Sequence, residues 1–285
     1  MNDWLTRSFQ EHSVLWLVIS SLLGGVLGAT IKFLFETFLP QHLTSRREIL
    51  AVKRKYQTPI LQAADELRRR LQNMILNIKL IETQTGWLRS NEVTDYYFLS
   101  TIYTVSRFFG WQQILRREVV YLDFTTINET KTFEGFMRMI REGFSTPDLL
   151  GSTDSSSPEE SQDKWIFSFW IQGIGESMVV EGKDNCYALS YSMFLKKIAE
   201  PESANFDRWL NTLAQLFADL KSTDVKFQRL LAIHAFLNAY IDYADPNHLR
   251  TQNQNYHWNL LGAERSDVVR RKILSVNPNA ILENA

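Results

Sequence analysis

The chain has few of the residues that cross-link or interrupt a fold. Its 285 residues include one cysteine, twelve glycines and seven prolines. A single cysteine, Cys186, excludes a disulfide within the chain, and a secreted domain of this size would often carry paired cysteines. Glycine and proline are both below average usage, so long segments run without a break. Together with the helical periodicity below, this scarcity predicts an all-α fold in which Cys186 packs as a small apolar residue.

Recognisable motifs of catalysis and metal binding are also absent. The chain contains no G-x-x-x-x-G-K-[ST], G-x-G-x-x-G, H-E-x-x-H, C-x-x-C or G-x-S-x-G pattern. Its five histidines are scattered, and His248 and His257 have no cysteine or paired carboxylates beside them to complete a metal site. We therefore predict no cofactor and no metal, and favour a protein without catalytic activity.

Neither sign of charge dominates. There are 31 Lys and Arg residues against 32 Asp and Glu residues, for a formal net charge of −1. A protein that binds nucleic acid through a general basic field carries a clear excess of Lys and Arg, so nucleic acid is not an expected partner. The hydrophobic content of 45% and aromatic content of 13% indicate a folded core rather than disorder.

One long stretch has no charged side chain at all. Residues 13–31 read SVLWLVISSLLGGVLGATI, and a helix over them is about 28 Å long, close to the ~30 Å hydrocarbon core of a bilayer. A signal peptide needs a basic start and a cleavage site, but Asp3 and Glu11 outnumber Arg7 and no convincing site follows. The length of the uncharged run also disfavours the remaining alternative, a buried core helix. The run predicts one transmembrane helix over residues 13–39.

The basic residues beside this run predict its orientation. Arg7 alone precedes the run, whereas Lys32 and a cluster over residues 46–55 follow it. The positive-inside rule then makes residues 1–12 a short outer tail and leaves the large C-terminal part in the cytoplasm, at a bacterial inner membrane or an equivalent one. Residues 40–58 are predicted to form a basic juxtamembrane helix. The side chains expected to contact anionic lipid are Arg46, Arg47, Lys53, Arg54 and Lys55, and a solvated basic face is the alternative.

Small residues recur every four positions inside the predicted span. The two ladders consist of Ser20, Gly24 and Gly28, and of Ser21, Gly25 and Ala29. Such spacing keeps small side chains on one helix face, where a second helix can approach closely. The ladders favour self-association or packing against a partner helix. The alternative is that glycine is simply common in spanning helices.

The rest of the chain has the apolar spacing of packed helices. Residues 59–245 are predicted to form a multi-helix, bundle-like domain with a flexible acidic loop over 145–164, followed by a partly ordered tail over 246–285. A seam with alternating steps of four and three is typical of a helix packed lengthwise on another. It consists of Ile60, Ala64, Leu67, Leu71, Met74 and Ile78. His234 lies on an apolar face, which favours a hydrogen-bonded core histidine over a metal ligand. The stretch WIFSFWIQG at 165–173 fits either a strand or the start of a buried helix.

Two glutamates fall in apolar surroundings. On a helix Glu118 shares a face with Trp111 and Ile114, and Glu176 lies within the stretch WIQGIGESMVV. A carboxylate buried there must be paired, hydrogen-bonded or protonated. The candidate partners of Glu118 are Arg68, Arg69 and Arg70 of the seam helix and Arg116 or Arg117 of a second subunit. Glu118 and Glu176 could form an acid–base pair, but a structural polar network is the favoured interpretation.

The segments that carry these glutamates resemble a known group of proteins. FFGWQQILRREVVYLD at 108–123 and IGESM at 174–178 are similar to a pattern in an uncharacterised family of bacterial helical proteins with an N-terminal membrane helix. The resemblance covers about a third of the chain and implies a family fold without a known activity. It makes candidate signature positions of Trp111, Arg116, Arg117, Glu118, Asp123 and Glu176.

These patterns predict a membrane-anchored cytoplasmic helical module with an interaction or regulatory role. Its expected partners are membrane lipid and either another protein or a second copy of the chain. One alternative is a membrane-associated enzyme that uses Glu118 and Glu176. The other is an oligomeric membrane effector assembled through the small-residue ladders of the predicted span.

Overall fold

The computed structural model describes residues 21–26, 32, 39–83, 96–118, 127–151, 164–183, 185–199 and 204–282. These residues are mostly helical, as the sequence predicts. The chain divides into two compact units, Met1–Val52 and Lys53–Ala285. The helices are α1 (Leu39–Leu76), α2 (Ile78–Thr83), α3 (Tyr96–Glu118), α4 (Ile127–Ser145), α5 (Ser168–Ser177), α6 (Tyr191–Ala199), α7 (Ala204–Phe217), α8 (Val225–Ala244), α9 (Trp258–Leu261) and α10 (Ala263–Val276), and the strands are β1 (Val179–Glu181) and β2 (Cys186–Ala188).

The predicted transmembrane helix is not supported by the structure. Within the described residues, no helix combines the length and the apolar character needed to cross a bilayer. Of the predicted span 13–39, the described part comprises the helical residues 21–26, Lys32 and Leu39. The long helix α1 that starts at Leu39 is rich in charged side chains.

The prediction of a single-pass membrane anchor is therefore wrong on this finding. The predicted membrane localisation, with residues 1–12 outside and the C-terminal part in the cytoplasm, is contradicted together with it, because that topology depended on the spanning helix.

In the unit Lys53–Ala285, helix α1 packs through the predicted seam. All six seam residues are buried; five of them lie on α1, and Ile78 begins α2. The helix also runs through Pro59, across the predicted boundary between the juxtamembrane helix over 40–58 and the domain over 59–245. Helix α8 is buried on all sides from Phe227 to Ile241, and this stretch includes the polar side chains of Arg229, His234 and Asn238. It packs against α4, α9 and α10.

Helices α3 and α5 lie in close contact, and two glycines allow it. A Cβ added at Gly175 would sit 2.8 Å from the carbonyl oxygen of Phe109. A Cβ added at Gly110 would sit 2.8 Å from the Cβ of Met178. Real Cβ atoms do not approach other atoms this closely, so both positions require glycine for packing. The two sequence segments of the resemblance are thus the two sides of one helix–helix contact.

A short β-hairpin departs from the all-α expectation. Strands β1 and β2 pair antiparallel, with Val179 opposite Ala188 and Glu181 opposite Cys186. Cys186 is half-buried in β2 rather than fully buried. The ambiguous stretch before the hairpin resolves into helix, since α5 begins at Ser168.

Candidate functional site

A basic cleft opens between the C-terminal part of α3, helix α4 and the end of α10. It has a volume of about 620 Å³, and Leu115, Phe133 and Val276 supply apolar lining. Four basic side chains and one acidic side chain also line it. They are Arg116, Lys131, Arg138, Arg141 and Glu134. A concave surface with this charge balance attracts anions, because the low-dielectric walls concentrate the positive field.

A smaller cleft of about 240 Å³ adjoins the first between α3, α4 and α5. The two clefts share Gln112, Arg116 and Arg141. Phe169 of α5 also lines the smaller cleft, and its ring is 82% exposed. We refer to both clefts together as the basic groove. Its two halves meet at the pair Arg116 and Arg141.

The helices that form the groove are amphipathic: their apolar side chains are buried, and their basic side chains border the groove. On α4 the apolar side chains of Phe136, Ile140 and Phe144 are fully buried. Lys131, Arg138 and Arg141 follow at helical spacing on another face, which borders the groove. On α3, Arg116 lies in the last turn, where the helix dipole favours a positive charge.

Arg141 is the least solvated cation of the groove. Desolvation lowers its pKa, and the nearby positive charge of Arg116 lowers it further, while Glu142 opposes the shift. Within the described part of the chain, neither Arg116 nor Arg141 has an ion pair. Arg138 has a long contact of 3.8 Å with Glu142. The repulsion between Arg116 and Arg141 outweighs the attraction of Arg141 to Glu142, and an anion from outside would relieve this repulsion.

Four of the predicted signature positions have described side chains, and each of these makes separate contacts. Arg116 lies in the groove, whereas Arg117 points to Glu181 with a 3.6 Å contact. Trp111 is half-buried, and its indole nitrogen has no hydrogen-bond partner among the described residues. Glu118 ends α3, but its side chain lies outside the described part, as does all of Asp123.

Glu176 is exposed, not embedded in an apolar core. Its Oε1 accepts hydrogen bonds from Gln113 Nε2 at 3.1 Å and from Gln172 Nε2 at 2.8 Å. Helix α5 buries Ile171 and Ile174 and turns the edge with residues 172 and 176 to solvent. The apolar residues next to Glu176 in the sequence lie on the opposite face of α5.

The residues predicted for lipid contact and helix association fall mostly outside the described part. This applies to the side chains of Arg46, Arg47, Lys53 and Arg54, and to Ser20, Gly28 and Ala29. Lys55 is exposed and donates a hydrogen bond to the Asn185 Oδ1. Ser21, Gly24 and Gly25 are exposed on a helical stretch, and a Cβ at either glycine would meet no atom within 4 Å.

A buried polar cluster that the sequence did not predict joins α1, α8 and residues 245–257. Arg68, with no exposed surface, pairs with Asp65, donates to Asn238 Oδ1 at 3.4 Å and also donates to the carbonyl of Gln252. The i,i+3 spacing of Asp65 and Arg68 was a readable signal for the ion pair. The contacts with Asn238 and Gln252 join residues too far apart in the chain for spacing to reveal.

A histidine pair extends this cluster. His234 is fully buried, as predicted for a core histidine, and its Nε2 lies 3.4 Å from Gln254 Oε1. The rings of His234 and His257 are 5.4 Å apart, and His257 Nε2 contacts Gln72 Oε1 at 2.7 Å. Burial and then the charge of His257 lower the pKa of His234 to about 3. Among the residues that the structure describes, no group of His, Cys, Asp and Glu side chains could hold a metal ion.

Comparison with known proteins adds no relative. No family model, no curated protein and no solved structure matches the chain. The resemblance to a bacterial helical family therefore stays a prediction.

Proposed function

We propose that this protein is a non-catalytic helical binding module that recognises an acidic segment of a partner protein through the basic groove. The observation that carries the proposal is the pair Arg116 and Arg141, which converge at the junction of two clefts without an ion-pair partner in the described chain. Lys131 and Arg138 continue the positive surface along α4. A ligand with several negative charges in a row matches this layout.

The geometry favours an interaction or regulatory role over an enzymatic one. The acid–base alternative requires two carboxylates in one enclosed site, whereas Glu176 is exposed and held by two amides. An oligomeric effector assembled through a spanning helix would require the span that the structure contradicts. The groove, by contrast, has the size, charge and apolar lining of a surface that binds an extended polar ligand.

The proposal is tested with fluorescein-labelled polyglutamate and the full chain, by fluorescence anisotropy at low ionic strength. The double variant Arg116→Gln/Arg141→Gln should weaken binding about tenfold or more, because it removes both central charges. The matched control is Arg69→Gln/Arg271→Gln, which removes the same total charge from exposed positions outside the groove. The control should stay within about twofold of the unmodified chain.

An equal loss in both double variants would mean that polyglutamate responds only to net charge, and the proposal would be wrong. Thermal unfolding followed by circular dichroism shows whether each variant retains its fold. Binding that does not weaken as salt increases would also contradict the proposal, because contacts between exposed charges are screened.

A further inference from the structure

The smaller cleft of the basic groove is lined mainly by hydrogen-bond donors. Its polar lining residues are Arg116, Arg141, Gln112, Gln113, Gln172 and Ser168, and none of its described lining residues is acidic. Glu176 does not line the cleft, but its contacts hold the amides of Gln113 and Gln172 with the nitrogen oriented. Each of these amide nitrogens carries a second N–H that the contact with Glu176 does not use.

The number of donors favours a phosphate group over a carboxylate. One guanidinium can saturate both oxygens of a carboxylate, which carries a single negative charge. A phosphate monoester has three terminal oxygens and a charge between about −1.5 and −2 at pH 7. Two guanidinium groups with adjacent amide and hydroxyl donors match that acceptor count, and a dianion balances the charges of Arg116 and Arg141 together.

An exposed aromatic ring stands in the same cleft. Phe169 of α5 lines the cleft and is 82% exposed. The neighbouring rings of Phe167 and Trp170 pack edge-to-face, with centroids 5.7 Å apart. A ring beside a pair of cations offers a contact to the group that carries the phosphate, and an aromatic carrier gains the most from it.

We infer that the smaller cleft binds a phosphorylated side chain of the partner protein, with the phosphate on Arg116 and Arg141 and its carrier group on Phe169. This inference depends on the proposed function and specifies which anionic group the groove recognises. Arg138 and Lys131 in the larger cleft then contact the acidic residues that flank the phosphorylated one.

The test uses isothermal titration calorimetry on the full chain with phenyl phosphate, inorganic phosphate and benzoate as probes. Phenyl phosphate should bind about tenfold tighter than benzoate, which has the same ring and one charge. Arg116→Gln and Arg141→Lys should each weaken phenyl phosphate about tenfold. Arg141→Lys keeps the positive charge but loses the planar guanidinium group. Its affinity for polyglutamate should therefore fall less than its affinity for phenyl phosphate. Arg271→Gln is the control and should leave the binding of every probe unchanged.

Phe169→Ala separates the aromatic contact from the phosphate contact. It should weaken phenyl phosphate about fivefold and leave inorganic phosphate unchanged. The inference is overturned if benzoate binds as tightly as phenyl phosphate, or if Arg116→Gln has no effect. It is also overturned if adenosine monophosphate binds more tightly than phenyl phosphate, since the ligand class would then be a nucleotide.

Failure of this inference can be told apart from failure of the proposed function. If phenyl phosphate does not bind but the binding of polyglutamate still depends on Arg116 and Arg141, the groove recognises acidic segments without phosphate. If neither probe depends on these arginines, both proposals are wrong.

Discussion

Arginines occupy two different kinds of position in this chain. Arg68 and Arg229 are almost completely buried, and each donates hydrogen bonds to backbone carbonyls. Arg229 donates to the carbonyl of Gly143 at 2.8 Å and to that of Pro147 at 3.3 Å, near the end of α4. These contacts stabilise the fold, because they satisfy carbonyl groups that a helix end leaves unpaired. Arg116 and Arg141 have no comparable contacts among the described residues, which is why we assign them to ligand binding.

A buried histidine makes stability depend on pH. His234 has a pKa of about 3 in the folded chain and about 6.5 when unfolded, since burial disfavours its charged form. Its contribution to stability is fully present above pH 6.5 and is lost as pH falls from 6.5 towards 3, by about 1.4 kcal/mol per pH unit. Urea unfolding should therefore show a free energy of unfolding about 2 kcal/mol lower at pH 5.0 than at pH 7.5.

The variant His234→Gln is the control for this pH dependence. It retains a polar side chain beside Gln254 but cannot gain a proton, so its free energy of unfolding should change less between the two pH values. The remaining slope would include His257, whose pKa burial also lowers. A variant with the same pH dependence as the unmodified chain would show that His234 is not the responsible group.

The sequence predicted the surroundings of His234 but not those of the arginines. Apolar residues precede and follow His234 at helical spacing. This is a local sequence pattern, and it predicts that the histidine is buried. The surroundings of Arg116 depend on α4 and α5, whose residues lie tens of positions away in the chain. Local spacing contains no information about which helices meet there.

At the scale of whole elements, the contact between α3 and α5 positions the groove. Gln113 and Arg116 reach it from α3, and Phe169 and Gln172 reach it from α5. The shape of the smaller cleft therefore depends on the distance between α3 and α5. Gly110 and Gly175 set that separation, because any side chain there would collide with the opposite helix.

The variant Gly175→Ala tests this arrangement. Its Cβ would approach the carbonyl oxygen of Phe109 to 2.8 Å, so the helices must separate, and the free energy of unfolding should fall by about 1–3 kcal/mol. Binding of phenyl phosphate should weaken in parallel. The control is Gly25→Ala, a helical position with open space around it, where alanine should leave stability unchanged or raise it slightly. Equal stability of the two variants would exclude close packing as the reason for Gly175.

The element scale also shows where periodicity succeeded. The seam of α1 and the apolar face of α8 are buried as predicted, because both patterns persist over several turns of helix. The pattern around Glu176 was misleading. Helix α5 is only ten residues long, and a short apolar segment does not show which edge faces solvent.

At the scale of the Lys53–Ala285 unit, Arg68 joins parts of the chain that are far apart in sequence. Its guanidinium contacts Asp65 of α1, Asn238 of α8 and the Gln252 carbonyl. Nearby, Arg250 donates to Thr58, and Tyr256 donates to Asp242. These contacts fasten the predicted tail against the helices, and the structure describes that tail as far as residue 282.

Replacing Arg68 should therefore destabilise the unit far more than replacing its neighbour. Arg68→Leu leaves Asn238 and the Gln252 carbonyl without their donor and should lower the free energy of unfolding by about 3 kcal/mol. Arg69 also pairs with Asp65, but its side chain is 51% exposed, so Arg69→Leu should cost less than about 1 kcal/mol. Unfolding of both variants in guanidinium chloride measures the difference in their free energies of unfolding. Similar losses in the two variants would show that Arg68 does not join these distant segments.

The sequence by itself determined the helical class, the seam of α1, the burial of α8 and the absence of familiar catalytic motifs. These features follow from residue types repeated at helical spacing, which is local information. The same local information predicted a spanning helix over 13–39, but no helix among the described residues is long and apolar enough to cross a membrane. Only the tertiary structure decided which arginines are paired and which converge in a groove. That outcome depends on how three helices pack, and packing brings together residues that no sequence spacing relates.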